Sequence, residues 1–263
     1  MKRTTYIMIG ILVTVLLVLV TGVIYISFQK SEPLQYGPVF PDKTLAMDCE
    51  GIQVVKVHAA DTCPVRVEGD IIIIPSRMGK AQFTYPESEY LTVSRKADTL
   101  VVYLDFHKWK TPRSENRNII PIIYAENLHL QLEAGSNLLD VSSTVPGLDL
   151  KIKGFQADTL NLSPYGAVAF IDSCSVRALS VNGAEASLVA ENSILSYLYL
   201  DLDGVRQWNV SNCAIDTEYL TGSGRHNNNL QKGECKQMFW SPKTEDAELA
   251  VTMNEKGCLV VQP

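Results

Sequence analysis

The sequence predicts an all-β protein: a right-handed, single-stranded β-solenoid, β-helix-like, set behind one N-terminal transmembrane helix. Three observations predict it. Tyr6–Phe28 is a run of 23 residues without a charge. Beyond it, runs of alternating, β-branched residues follow one another with no convincing amphipathic helix. In the second half, Leu-x-Leu triplets recur 19 residues apart.

The chain has 263 residues, 46% of them hydrophobic and 20% charged. That length allows one or two domains, and that composition excludes wholesale disorder. Net charge is −6 and the isoelectric point about 5.3. A chain this acidic has no basic excess to displace counterions, so nucleic-acid coating is excluded as a main role.

Residues 1–30 read as a cytosolic tip and signal anchor. A helix of 23 residues rises about 34 Å, enough for the hydrocarbon core. The run is too long for a cleaved signal peptide, and Ile24–Phe28 offers no small-x-small cleavage site. Lys2 and Arg3 favour the cytoplasmic side, which puts the N-terminus inside and the rest of the chain in the periplasm or outside. The expected localisation is therefore the inner (cytoplasmic) membrane, single-pass.

Residues 31–42 read as a stalk, because Pro33, Gly37, Pro38 and Pro41 interrupt both helix and central strand. Residues 43–126 form an N-terminal β part. Its strands are Ile52–His58, Pro64–Glu68, Ile71–Ile74, Tyr90–Ser94, Thr99–Asp105 and Ile119–Tyr124.

Residues 127–225 form the repetitive part. Leu160-Asn161-Leu162, Leu179-Ser180-Val181 and Leu198-Tyr199-Leu200 start 19 residues apart. Each is followed by a glycine-containing turn, an apolar stretch and a small polar corner such as Asp172-Ser173-Cys174. A period near 20 with stacked inward leucines is a solenoid pattern. Residues 226–263 read as a cap or tail.

These pieces resemble the auto-transporter adhesin head domains of the GIN type. The resemblance rests on Ile52–Val55, Val65-Arg66-Val67-Glu68-Gly69, Leu91-Thr92-Val93 with Asp98–Val102, and Leu128-His129-Leu130 with Glu133-Ala134-Gly135-Ser136. It covers about residues 43–225 as a pattern of strands and turns. It implies a cell-envelope protein of adhesin-like shape and brings no catalytic residues. The family's frequent Ser-Gly corners are nearly absent; Thr221-Gly222-Ser223-Gly224 comes nearest.

The candidate binding residues are Tyr197, Tyr199 and Trp109. Tyr199 faces out from its Leu-x-Leu triplet, and Tyr219 lies near the next equivalent position. Exposed, stacked tyrosines either pack on sugar rings or a partner, or stiffen the coil. Trp109 sits in the basic loop Phe106–Asn118 with Lys108, Lys110, Arg113 and Arg117, which suits an acidic partner or a solvated loop. Asp201-Leu202-Asp203-Gly204 resembles the start of a calcium loop but lacks the later acidic ligand. As a hydrolase pair, Asp201 and Asp203 would need a separated acid on a neighbouring coil, where Asn161 and Ser180 stand.

His58, His107, His129 and His226 have no metal-ligand spacing, and there is no Cys-x-x-Cys among Cys49, Cys63, Cys174, Cys213, Cys235 and Cys258. The local pairings Cys49–Cys63 and Cys235–Cys258 are preferred, although six cysteines allow 15 pairings. Cys174–Cys213, two coils apart, is disfavoured by distance.

No metal or cofactor is implied. The expected function is non-enzymatic binding or scaffolding in the cell envelope, with the membrane and a surface glycan or envelope protein as partners. The alternatives are an accessory subunit of an envelope complex and a carbohydrate-active β-helix enzyme.

Overall fold

The structure, a computed structural model, describes residues 13–21, 37–60, 65–76, 79–109, 122–230, 235–253 and 259–261. The chain divides into Met1–Gln35 and Tyr36–Pro263.

In the first unit the described helix covers residues 13–21. No described helix is long and apolar enough to cross a membrane. The expected transmembrane helix over Tyr6–Phe28 is therefore not supported. The single-pass inner-membrane placement, with the N-terminus inside and a periplasmic or extracellular ectodomain, falls with it. The rest of the run, residues 6–12 and 22–28, lies outside the described residues.

The second unit is built of strands. The first seven are β1 (Thr44–Asp48), β2 (Val54–Ala59), β3 (Val65–Pro75), β4 (Gln82–Pro86), β5 (Leu91–Lys96), β6 (Thr99–Leu104) and β7 (Ile123–Ala134). Then come β8 (Asp140–Ser143), β9 (Leu148–Lys153), β10 (Gln156–Ser163), β11 (Val168–Asp172), β12 (Ser175–Val181), β13 (Ala186–Glu191) and β14 (Ile194–Asp201). The last are β15 (Val205–Ser211), β16 (Ala214–Gly222), β17 (Arg225–Leu230), β18 (Cys235–Pro242), β19 (Glu248–Met253) and β20 (Leu259–Val261).

The strands form an eight-stranded sheet, β1-β4-β7-β3-β9-β11-β13-β15, and a ten-stranded sheet, β20-β18-β16-β14-β12-β10-β8-β2-β6-β5. A two-stranded sheet joins β17 to β19. Both large sheets are open and mixed. This corrects the expected right-handed single-stranded solenoid. β1–β4, β4–β7 and β5–β6 pair antiparallel. β3 inserts between β7 and β9, and β2 between β8 and β6. The physical reason is local: Ala97 at φ 55° and Asp98 turn β5 straight back on β6, and a tight link makes an antiparallel neighbour.

From β8 to β16 the chain alternates between the large sheets, and neighbours pair parallel. Leu160, Leu179 and Leu198 are register partners, as are Leu162, Val181, Leu200, Leu220 and Trp240. In the other sheet Leu150, Ala169, Leu188 and Trp208 line up. All are buried and belong to one hydrophobic cluster that draws on both sheets. At each corner from the eight-stranded to the ten-stranded sheet, one residue adopts positive φ: Gly154 (61°), Ser173 (55°), Asn192 (49°) and Asn212 (53°). Small and polar residues tolerate that conformation best. Asn192 Nδ2 donates to Asp172 Oδ1 (3.2 Å) and Asn212 Nδ2 to Asn192 Oδ1 (2.5 Å), so each corner ties to the one before.

Residues 37–42 lie along β7. Phe40 N–H donates to Glu126 O (2.9 Å), and Glu126 N–H donates to Pro38 O (3.0 Å). Phe40 is buried against Phe106, with ring centres 6.4 Å apart.

Candidate binding surface

Alternation on β14 sets the site. Leu198 and Leu200 point into the core, so Tyr197 and Tyr199 project from the opposite face. Tyr199, Tyr219 and Phe239 are register partners on β14, β16 and β18. Their rings stack: Tyr199–Tyr219 at 4.9 Å and 8°, Tyr219–Phe239 at 5.2 Å and 13°. Such pairs contribute about 0.5–1.5 kcal/mol each beyond burial. Tyr197 stands 6.4 Å from Tyr219, tilted by 43°.

The stack ends at Tyr199. The next residues in that row are Ser180 on β12 and Asn161 on β10, both short. Tyr219 has both faces covered by rings and is half-buried. Tyr199 is covered on one side and remains 40% exposed. Its second face borders the low ground over Ser180.

Two recesses flank the tyrosines. One, of about 490 Å³, lies at the starts of β10, β12 and β14 and is lined by Ser136, Gln156, Asp158, Ser175, Arg177, Ile194 and Ser196, with Ala157 and Val176. The other, of about 130 Å³, lies at the ends of β14, β16 and β18. Asn182, Asp201, Thr221 and Ser241 line it together with the three stacked rings.

The charges here are paired. Arg177 grips Asp158 with both Nε and Nη2, the latter at 2.8 Å. That hydrogen bond lowers the Asp158 pKa and raises that of Arg177. Lys243 Nζ bridges Asp201 Oδ1 (2.6 Å) and Asp203 Oδ2 (2.8 Å). Asp203 also accepts from Ser223 N–H (2.6 Å) and Ser223 Oγ (2.8 Å). The Lys243 bond first, and the Ser223 donors next, hold its carboxyl well below the usual range. Asp201-Leu202-Asp203-Gly204 is thus a turn fastened to the end of β18, with Leu202 buried. Among the described residues no cluster of His, Cys, Asp and Glu could hold a metal ion.

Trp109 is not brought to the tyrosines. It is half-buried, packs edge-on against Tyr90 (6.2 Å, 76°), and its backbone N–H donates to Phe106 O. Lys110, Arg113 and Arg117 of its expected basic loop lie outside the described residues, as do Cys63 and Cys258. Cys49, Cys174, Cys213 and Cys235 are all buried. The Cys174 thiol donates to Asp172 O (3.2 Å) and the Cys213 thiol to Ser211 O (3.4 Å).

Three features escaped the sequence reading. Phe239 extends the stack from a region read as tail. Asp70, nearly buried in β3, binds His129 Nδ1 (2.8 Å) and Lys151 Nζ (2.7 Å). Glu218 stands in the inward row between Leu198 and Met238, 2% exposed. Its Oε2 has no hydrogen-bond partner among the described residues. The repeat itself signals it: Glu218 takes the place of Leu160, Leu179 and Leu198.

No family model and no curated protein matches the chain. Solved structures do. A "putative adhesin" from Bacteroides fragilis is 12% identical, with a TM-score of 0.43, over 86% of this chain and 100% of its own. A "putative lipid binding protein" from Parabacteroides distasonis is 11% identical, TM-score 0.41, over 84% of this chain and 98% of its own. A "putative adhesin" from Parabacteroides merdae is 12% identical, TM-score 0.33, over 83% of this chain and 95% of its own. The resemblance to the GIN type has no matching family model behind it, and likenesses this distant carry no function across.

Proposed function

We propose that the chain is a non-enzymatic binding module, that its ligand seat is the outer face of the ten-stranded sheet at Tyr199, and that the ligand is a cell-surface glycan. One observation carries this reading: an aromatic stack stops at an exposed ring face that borders hydroxyl and amide side chains. Sugar rings offer the same mixture, an apolar face of C–H groups with hydroxyls around its rim, and a tyrosine presents an apolar body with a polar tip.

The carboxylates nearby do not suit hydrolysis. A general acid needs a raised pKa in an accessible position. Asp203 is shifted the other way and fastened to Lys243. Glu218 is shifted upward but is buried in the core.

The test is an array of bacterial and host surface glycans probed with the full chain and with Tyr199→Ala. Retention on a defined glycan, lost at least 30-fold in the variant (about 2 kcal/mol), is expected. No retention, together with a stoichiometric protein cross-linked through a photo-reactive group at position 199, would replace this reading by that of an accessory subunit.

A further inference from the structure

The seat at Tyr199 does not stand alone. Along β12 the outward side chains between the two recesses are short: Ala178 pairs in register with Tyr197, and Ser180 with Tyr199. On the far side of β12, Thr159 and Asn161 of β10 are the register partners of Ala178 and Ser180. The tyrosines therefore form one wall of a trough whose floor is β12 and β10. Arg177 of the larger recess stands at one end of that floor, and Asn182 of the smaller at the other. Asn182 Nδ2 donates to Ser180 Oγ (2.9 Å), continuing the polar floor into the second recess.

The length of this trough follows from strand geometry. Ser196 and Asp201, which line opposite recesses, are five residues apart on β14, so at about 3.3 Å per residue they are separated by roughly 17 Å. One sugar ring on Tyr199, which itself borders the smaller recess, would not span from one recess to the other.

Charge narrows the ligand further. Arg177 is the one cation among the described residues lining the recesses, and both arms of its fork face Asp158. Asp201 lines the second recess, and Lys243 is shared between it and Asp203. Among the described residues lining the recesses, no free positive charge is offered to a carboxylate or sulfate on a ligand. The remaining polar lining groups are hydroxyls and amides, which exchange hydrogen bonds with hydroxyls, beside apolar groups such as Ile194 and the stacked rings.

Building on the glycan reading, we infer that the site is an extended groove running along β12 for a neutral oligosaccharide, with its centre at Tyr197 and Tyr199 and a subsite in each recess. The two ends act together on one chain.

The experiment is calorimetric titration of the full chain with neutral gluco-, galacto-, manno- and N-acetylglucosamine oligomers of one to six units, and with matched galacturonic acid oligomers. In the neutral series that binds, affinity is expected to rise at least ten-fold between one and four units and to exceed that of the uronic acid series. Arg177→Ala and Asn182→Ala, at opposite ends, are each expected to weaken the longest neutral oligomer five-fold or more, with unchanged far-ultraviolet circular dichroism. Binding that is independent of chain length, that is lost only at one end, or that favours the uronic acids would overturn the groove while leaving the glycan reading in place. Failure of every series would overturn both.

Discussion

Replacing Glu218 by glutamine is expected to leave stability almost unchanged near pH 4 and to raise it at pH 8. The side chain lies in the inward row between Leu198 and Met238, 2% exposed. Burial in that apolar row pushes its pKa up from 4.5 to about 7. The titratable neighbour is the Cys235 thiol, itself raised to about 12 by burial first and by the Glu218 charge second. The native state therefore holds the Glu218 proton over a range in which the unfolded chain has released it. Where the native state binds more protons, stability falls as pH rises. The loss begins near the unfolded value of 4.5 and is complete once pH passes about 7. At about 1.4 kcal/mol per unit, it amounts to about 3 kcal/mol. Glutamine keeps the shape and cannot ionise, so it escapes the loss. Urea unfolding of both proteins at pH 4, 5, 6, 7 and 8 measures the difference. A gap that opens between pH 4.5 and 7 and then stays level supports the placement of Glu218 in the core. A gap that does not vary with pH, or a wild type more stable at pH 8, would refute it.

Close packing, paired charges and buried thiols elsewhere in the fold set three further outcomes. Gly204→Ala brings a Cβ to 1.9 Å from the Gly183 carbonyl oxygen, so the turn must shift; a loss of about 1–3 kcal/mol, seen as a melting temperature several degrees lower, is expected, and an unchanged melting temperature would contradict the close corner packing. Burial pushes the Asp70 pKa up, but hydrogen bonds from His129 and Lys151 outweigh it and hold the net value below 3.8. The stability this adds is present above that unfolded value and is lost as pH falls through the lower folded one. Lys151→Met is accordingly expected to cost about 1–3 kcal/mol at pH 7, with a smaller gap below pH 3 in denaturant melts, whereas a constant gap would show that the charge plays no part. The Cys174 and Cys235 thiols, both raised chiefly by burial, are expected to resist iodoacetamide at pH 8 in the folded protein and to react in denaturant, as read by peptide mass spectrometry; rapid native labelling would place them at the surface.

Much of the outer face of β14 was legible in the sequence because the inward leucines leave its tyrosines no other direction. The 19-residue spacing corresponds to the registers of Leu160, Leu179 and Leu198, since parallel neighbours joined through a constant corner must repeat at the length of that path. The pairing order of the first seven strands was not legible. That β3 lies between β7 and β9 depends on non-local contacts, and its run of four isoleucines fits any two-sided neighbour. The basic neighbours of Trp109 are visible in the sequence, whereas its packing on Tyr90, 19 residues away, was not legible there. Phe239 was missed because the step from β16 to β18 no longer carries a Leu-x-Leu triplet: Met238, Phe239 and Trp240 stand there instead. The apolar run at the N-terminus is long enough by hydropathy to span a bilayer, yet no helix among the described residues is long and apolar enough to cross one.

The most direct test of the binding account is a crystal structure of the chain with the neutral oligosaccharide that it retains. The account predicts a sugar ring against the open face of Tyr199, above Ser180, with the chain reaching toward Arg177 at one end and Asn182 at the other. A sugar bound elsewhere, or a Tyr199 face left bare in a complex of saturating affinity, would contradict it.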